Sequence, residues 1–314
     1  MTKLMKRNID GILLLDKSLE ISSNKALQQI KHLYAAKKAG HTGSLDPLAS
    51  GMLPICLGEA TKFSQYLLDA DKHYSVTAQL GIKTTTGDAE GEIISQKPVN
   101  NFSQEFIVNI LAQFIGEISQ IPPMHSAIKI NGQPLYQLAR KGKTIDRASR
   151  TVQIYKIDLI EFNKDQFTLN VYCSKGTYIR TLIEDIGEKL GCGAHVTFLR
   201  RTGIAYFQAE QMITFQQLQE VFQQENYAAI DKYLLPINAM LNEYPILSIS
   251  EEMAFKLYRG QEIAINENVS PGQIMQLIIN NKKFIGLGEI MPDNKLISKR
   301  LISEQNTIMA SQTE

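Results

Sequence analysis

A chain of 314 residues that is 44% hydrophobic and 21% charged has material for one large or two smaller soluble, globular domains. Its formal net charge is only +1, so any case for nucleic acid must come from local patches rather than from the whole chain. Cys56, Cys173 and Cys192 are odd in number and lack paired spacing, and the five histidines form no cluster with metal-ligand spacing. Neither a disulfide framework nor a metal site is expected, and a reduced, cytoplasmic setting is the simplest reading.

Met1 to Asn8 is basic, but the apolar run Ile12 to Leu15 is short and flanked by Asp10 and Asp16, which reads as a first strand rather than a signal peptide or membrane span. Ser22 or Ser23 can cap a following helix with Leu27, Ile30 and Leu33 on one face. The stretch Lys37 to Thr61 then holds Asp46 among Gly40, Gly43 and Gly51, with Glu59 near its end as the one other carboxylate. Pro47 pushes Asp46 away from helical geometry, so Asp46 belongs on a stiff, turned loop. From the residues alone it either caps a turn or presents an acid for chemistry. Met52 to Leu57 is apolar. Glu59 to Leu68 reads as a helix carrying Lys62, by itself a solvated lysine.

Tyr74, Val76, Ala78 and Leu80 alternate with polar residues, a strand with one buried face that Tyr74 begins. Alone, Tyr74 is a core or edge aromatic. Asp88-Ala89-Glu90-Gly91 reads as a turn. Ser103 can cap a helix with Phe106, Ile107, Ile110, Leu111 and Phe114 on its apolar face, and Pro122-Pro123 ends a short strand. Residues 129–150 carry Lys129, Arg140, Lys141, Lys143, Arg147 and Arg150 against one acid, Asp146. With Asn131-Gly132 as a hairpin turn, this reads as a basic insertion between two strands, of a kind that tracks phosphates and can order on binding. Phe167, Leu169, Val171 and Cys173 form another strand. Lys175-Gly176-Thr177 turns it into a helix to about Lys189, with Arg180 on the first turn. Thr214 to Gln217 is a capping box. Asn238 to Pro245 reads as a linker. Beyond it Ser250 caps a short helix closed by Gly260, and strands around Ile274 to Ile279 and Phe284 to Ile290 flank an Asn280-Asn281 turn.

The segment GHTGSLDPLASGMLPICLGEATKF, residues 40–63, resembles the catalytic segment of the TruB family of bacterial tRNA pseudouridine-55 synthases. Lys72-His73-Tyr74, Pro122 to Ala127, Cys173 to Leu182, Gly191 to Val196 and Leu199-Arg200-Arg201 are similar to that family in the same order. The resemblance implies an α/β (α+β) fold: a mixed, largely antiparallel catalytic sheet over 1–240, with 129–150 as an RNA-gripping insertion, and a small PUA-like β-barrel over 245–310. It implies Asp46 as the catalytic carboxylate, Arg180 as its partner and Tyr74 stacked on the target uracil. His41 fills the space left by the flipped nucleotide, and Tyr178 and Leu199 line the pocket. RNA contacts are expected from Lys62, Lys129, Arg140, Lys141 and Lys143. Two departures are visible. Ser18 and Glu20 stand where the family usually has Pro and Gly, and His125 stands where it often has Tyr. The last segment, 244–314, holds 7 basic and 8 acidic side chains, so its charge makes no case for RNA.

The implied reaction isomerises uridine 55 in the T-loop of tRNA to pseudouridine. It is an isomerisation, so no cofactor is expected. The partner is tRNA through its T-stem and loop, without membrane or metal, and a monomer is expected. Asp46 can act as nucleophile at C1′ or as base toward a ribose proton; the sequence leaves both open. Two other classes compete. A glycoside hydrolase needs a second carboxylate, for which the stretch Lys37 to Thr61 offers only Glu59. A non-catalytic tRNA-binding or RNA-folding protein would suit the basic insertion but has no need of an acid facing a phosphate-rich ligand.

Overall fold

Strand β1 (Gly11–Lys17) forms where the sequence is almost wholly apolar, and all but one of its seven residues are buried. A strand apolar on both faces belongs in the middle of a covered sheet. In the computed structural model, which describes residues 5–126, 128–130, 132–139, 141–265 and 269–304, it lies next to β3 (Ala49–Leu57), whose nine residues are all buried. Strands β2 (Ala39–His41), β4 (Lys72–Leu80), β5 (Gly116–Gln120), β6 (Arg150–Asn163), β7 (Gln166–Cys173), β8 (Ala194–Ile204) and β9 (Ile213–Thr214) complete a nine-stranded sheet. Its order is β9-β1-β3-β8-β4-β7-β6-β5, with β2 on β3. The β1/β9 and β3/β8 pairs are parallel and the rest antiparallel. The expected mixed, largely antiparallel sheet is therefore the one observed.

Strands β4 and β7 show the period-two burial their sequences announce. Helices α1 (Ser23–Leu33), α2 (Gln104–Ala112), α3 (Ile179–Lys189) and α4 (Phe215–Gln224) bury Ile30, Ile107, Ile183 and Leu218 in the same core cluster as Leu13, Val76 and Leu169. Ser22 caps α1, Ser103 caps α2, and Thr214 with Gln217 forms the capping box of α4.

The C-terminal part is a curled five-stranded sheet, with β10 (Ile246–Ile249), β11 (Ile263–Ala264), β12 (Ile274–Ile279), β13 (Lys283–Ile290) and β14 (Lys295–Leu301) in the order β10-β12-β13-β14-β11. Helix α5 (Glu251–Tyr258) is capped by Ser250, and Gly260 follows it at φ +72°. Asn280 and Asn281 both take positive φ in the β12–β13 turn, as a tight hairpin requires.

Three local expectations are corrected. Glu59 to Leu68 is not one helix: a 3-10 turn (Gly58–Lys62) and a short α-helix (Ser64–Asp69) meet at Phe63, whose fully buried side chain is drawn into the core between them. Phe106 leaves the buried face of α2 and is 44% exposed, stacked on Phe102. The segment read as a linker contains a 3-10 turn (Ile237–Leu241) whose Met240 and Leu241 are buried beneath both sheets. Among the described residues, no helix is long and apolar enough to cross a membrane. Asn131, Arg140 and residues 305–310, named above, lie outside the described residues.

Candidate active site

Asp46 lies on the loop between β2 and β3, and the loop is held on both sides of it. Ser23, the first residue of α1, accepts from the Leu45 backbone N–H (2.7 Å) and donates to the Leu45 carbonyl (2.9 Å). Glu20 donates its backbone N–H to the Pro47 carbonyl at 2.9 Å, so the segment that departs from the family pattern still braces the loop. Glu20 is at φ +65°, a backbone conformation the more usual Gly adopts freely.

Arg180 comes from the first turn of α3, and β5 fixes where that helix begins. The buried Gln120 side chain accepts from Tyr178 N–H (3.0 Å) and donates to the Tyr178 carbonyl (3.2 Å). The guanidinium then sits 2.9 Å from the Asp46 carboxylate. It also donates to the Thr86 carbonyl (2.9 Å), the His125 carbonyl (2.7 Å) and the Asp88 carboxylate (3.2 Å). Arg180 and Asp88 side chains are 6% and 4% exposed, while Asp46 is 44% exposed. Asp46 is therefore crowded by protein on most sides yet reachable from solvent. Burial raises its pKa above the ordinary 3.8; Arg180 pulls it back down, and the second carboxylate, Asp88, pushes it up.

The sequence reading missed Asp88, taking it for a turn residue. It is one, since its second oxygen accepts from the Thr86 hydroxyl and from Glu90 N–H. Its pairing with a residue 92 positions away leaves no local signal. Lys17 was also missed. It ends β1, is 1% exposed, and donates to the Ser18 and Ile21 carbonyls at 2.8 Å each. Burial lowers its pKa to about 8 against the opposing pull of Asp46.

Tyr74 is buried on β4, opposite Arg201 of β8 in the strand register. Leu199, also on β8, pairs with Ala49 and Val76 and shares a core cluster with Leu45 and Tyr74. Tyr178 is half-buried at the start of α3. His41 sits on β2 with its Nδ1 buried and without a hydrogen-bond partner; burial and then Arg201 lower its pKa, which favours the neutral ring. Tyr74 and Tyr178 lie within electrostatic reach of Asp46, Leu199 packs with Leu45, the chain neighbour of Asp46, and His41 feels Arg201. Lys62 instead pairs with Glu59 at 2.8 Å and donates to the Leu301 carbonyl, against the C-terminal sheet. Glu59 is held there too, by Lys62 and by Ser303 N–H. Nine strand residues separate it from the Asp46 loop, roughly 25–30 Å of extended chain. It cannot serve as the partner carboxylate of a glycosidase pair. Lys129, Lys141 and Lys143 are exposed on the segment between β5 and β6, and among the described residues no carboxylate pairs with them.

A solvent-reachable carboxylate tied to a buried guanidinium, with an aromatic ring near it, suits attack at, or proton removal from, a sugar whose base stacks on the ring. Comparisons with known proteins point to one family. A family model described as "TruB family pseudouridylate synthase (N terminal domain)" matches residues 31–179. Models of the tRNA pseudouridylate synthase B C-terminal domain and of the pseudouridine synthase II TruB C-terminus match 180–242 and 245–302. The chain is 48% identical over 303 residues to tRNA pseudouridine synthase B of Coxiella burnetii (strain RSA 493 / Nine Mile phase I), covering 96% of this chain and 98% of that one. It is 49% identical over 303 residues to the protein of that name from Pseudomonas fluorescens (strain Pf0-1), covering 96% and 99%. Among solved structures, a Cbf5-Nop10-Gar1 complex matches with a TM-score of 0.72 at 27% identity, over 93% of this chain and 84% of the other.

Proposed function

This chain belongs to the TruB family of pseudouridylate synthases, and on that premise we propose that it isomerises uridine 55 in the T-loop of tRNA, with Asp46 as the reacting carboxylate. That it makes pseudouridine in tRNA follows from its near full-length identity to tRNA pseudouridine synthases. The position and the residue roles are our reading. The observation that carries it is the Asp46–Arg180–Asp88 arrangement, a reacting acid tied to a buried guanidinium that a second, buried carboxylate secures.

The reaction breaks the N1–C1′ bond, turns the uracil and joins C5 to C1′, after which C5 loses its hydrogen and N1 gains one. The target base must leave the folded loop, and Tyr74 offers the ring on which it stacks. His41 occupies the space it leaves, and Leu199 and Tyr178 close the pocket. Arg180 keeps Asp46 placed and favours its ionised form against burial. The exposed Lys129, Lys141 and Lys143 supply phosphate contacts along the T-stem, and residues 129–150 act as the gripping segment within the catalytic domain (1–240), which the terminal domain (245–310) follows. Specificity then rests on RNA shape and the opened loop. The protein works as a cytoplasmic monomer.

Tritium release from tRNA labelled at C5 of uridine tests the reading. Wild type should release about one equivalent per tRNA, as loss of one C5 hydrogen per isomerised uridine demands, and Asp46→Asn none. A tRNA lacking uridine at position 55 should release nothing. Binding of tRNA by wild type without release would favour the RNA-folding reading instead.

A further inference from the structure

Two adjacent arginines on β8 are used in opposite ways. Arg200 makes the familiar fork to a carboxylate, Asp16, at 2.9 and 2.7 Å. Arg201 points to the other face and is 1% exposed, the largest fully buried side chain among the described residues. Its Nε donates to the Met52 carbonyl at 2.7 Å and its Nη2 to the Gly43 carbonyl at 3.1 Å. Among the described residues no carboxylate pairs with it. A buried charge ordinarily has a counter-charge, because desolvation without one is costly. Carbonyl partners alone fix its direction but leave its charge uncancelled.

That charge faces the site. Arg201 is the cross-strand partner of Tyr74, which puts the two side chains beside each other on one face of the sheet. Burial pushes the Tyr74 phenol up and Arg201 pulls it back. The same guanidinium lowers the pKa values of Lys17, His41 and Lys72. Asp46 pushes the Tyr74 phenol further up. The backbone is shaped to deliver this contact. Gly51, at φ +97°, lets β3 lie so close to β8 that an added Cβ would stand 2.2 Å from the Arg201 carbonyl oxygen.

We propose that Arg201 is a positioning residue of the synthase reaction: fixed by the Met52 and Gly43 carbonyls, it holds the Tyr74 hydroxyl and so sets the ring on which the target base stacks. The inference rests on the reading of Tyr74 as the residue facing the flipped uracil. A residue acting only as core filler would not need a charge here, and a residue acting on Asp46 directly would be expected to reach it, as Arg180 does.

The test is a double-mutant cycle in the full chain, with Arg201→Lys, Arg201→Met, Tyr74→Phe and the paired variants. Single-turnover tritium release and tRNA binding are measured side by side. Arg201→Lys keeps the charge and loses the fork; it should slow release on the order of 10- to 100-fold, as a misplaced stacking group does, with tRNA affinity within about twofold of wild type. In the Tyr74→Phe background the same change should slow release no further. An equal fold-loss in both backgrounds overturns the inference, as does a Tyr74→Phe enzyme with the wild-type rate. Absence of release by wild type instead fails the synthase reading itself. A second readout is independent of turnover and of the fold tolerating Arg201→Met. With carbon-13 at Cζ of tyrosine, the Tyr74 resonance, assigned by its loss in Tyr74→Phe, should move in Arg201→Lys; an unmoved resonance overturns the proposal.

Discussion

Asp46 is costly where it stands. Burial raises its pKa in the folded chain above 3.8, so the ionised form is disfavoured by folding. Between 3.8 and the raised midpoint the folded state binds more protons than the unfolded one, and stability falls as pH rises through that window. Asp46→Asn should therefore melt higher than wild type at neutral pH while releasing no tritium. The difference should close as pH falls below the raised midpoint, which melting curves across a pH series would show. The acid limb of kcat/KM should likewise lie above the ordinary carboxylate range. Asp88 raises the Asp46 pKa, so Asp88→Asn should move that limb to lower pH. It also leaves the buried Arg180 short of a charge, a loss that costs about 3 kcal/mol or more when a buried pair is broken. Rate and melting temperature should fall together, and an unchanged acid limb would count against the coupling. Asp46 stood out through its Gly- and Pro-bounded loop, while Tyr74 and Arg180 stood out only through their resemblance to the family's motifs. Asp88 and Arg201 did not, because their meaning lies in partners far away in sequence: Arg180 for one, Gly43 and Met52 for the other.

Elements were most legible where one side-chain period ran unbroken. Strands β4 and β7 alternate and are half-buried; α1, α2 and α4 start at a Ser or Thr that caps them. Legibility failed where tertiary packing overrode the local pattern, as at Phe63, which splits a continuous helical run because its ring is needed in the core. The parallel pairing of β3 with β8 was equally hidden, although it places the Asp46 loop beside Leu199 and Arg201. Gly51 is the residue that permits it. Gly51→Ala adds a Cβ 2.2 Å from the Arg201 carbonyl oxygen at a φ that L-residues avoid, so β3 must move away from β8. The expected cost exceeds the roughly 1 kcal/mol typical of a Gly effect in an open position. Chemical denaturation should show that loss, and single-turnover release should slow as the Asp46 loop follows β3. A variant with normal release would mean that the loop is set by Ser23 and Glu20 alone.

At the scale of the whole molecule, two properties are not visible in the totals. One is the charge on the segment between β5 and β6. Changing Lys129, Lys141 and Lys143 together to Ala should weaken tRNA binding and lower the salt slope by about one per lost phosphate contact, with the single-turnover rate at saturating tRNA kept. An unaltered slope would remove the segment from the interface. The other is the core that the two sheets share. Ile12, Leu14 and Met52 of the large sheet and Leu287 of the small one belong to one buried cluster with Met240 and Ile302. Phe63 meets Phe284 edge-to-face at 5.6 Å, and Glu59 and Lys62 bond to the backbone at Ser303 and Leu301. A sequence read as two domains and a linker thus folds with apolar layers in common, and the face of β1 and β3 opposite the main core is covered by the C-terminal sheet. The two parts should unfold together. Phe284→Ala removes a ring from that shared layer, and a large-to-small change of this kind costs about 3 kcal/mol. Calorimetry should show one transition in both proteins, moved to lower temperature in the variant. Two transitions, with only one of them shifted, would show instead that the sheets fold independently and merely touch.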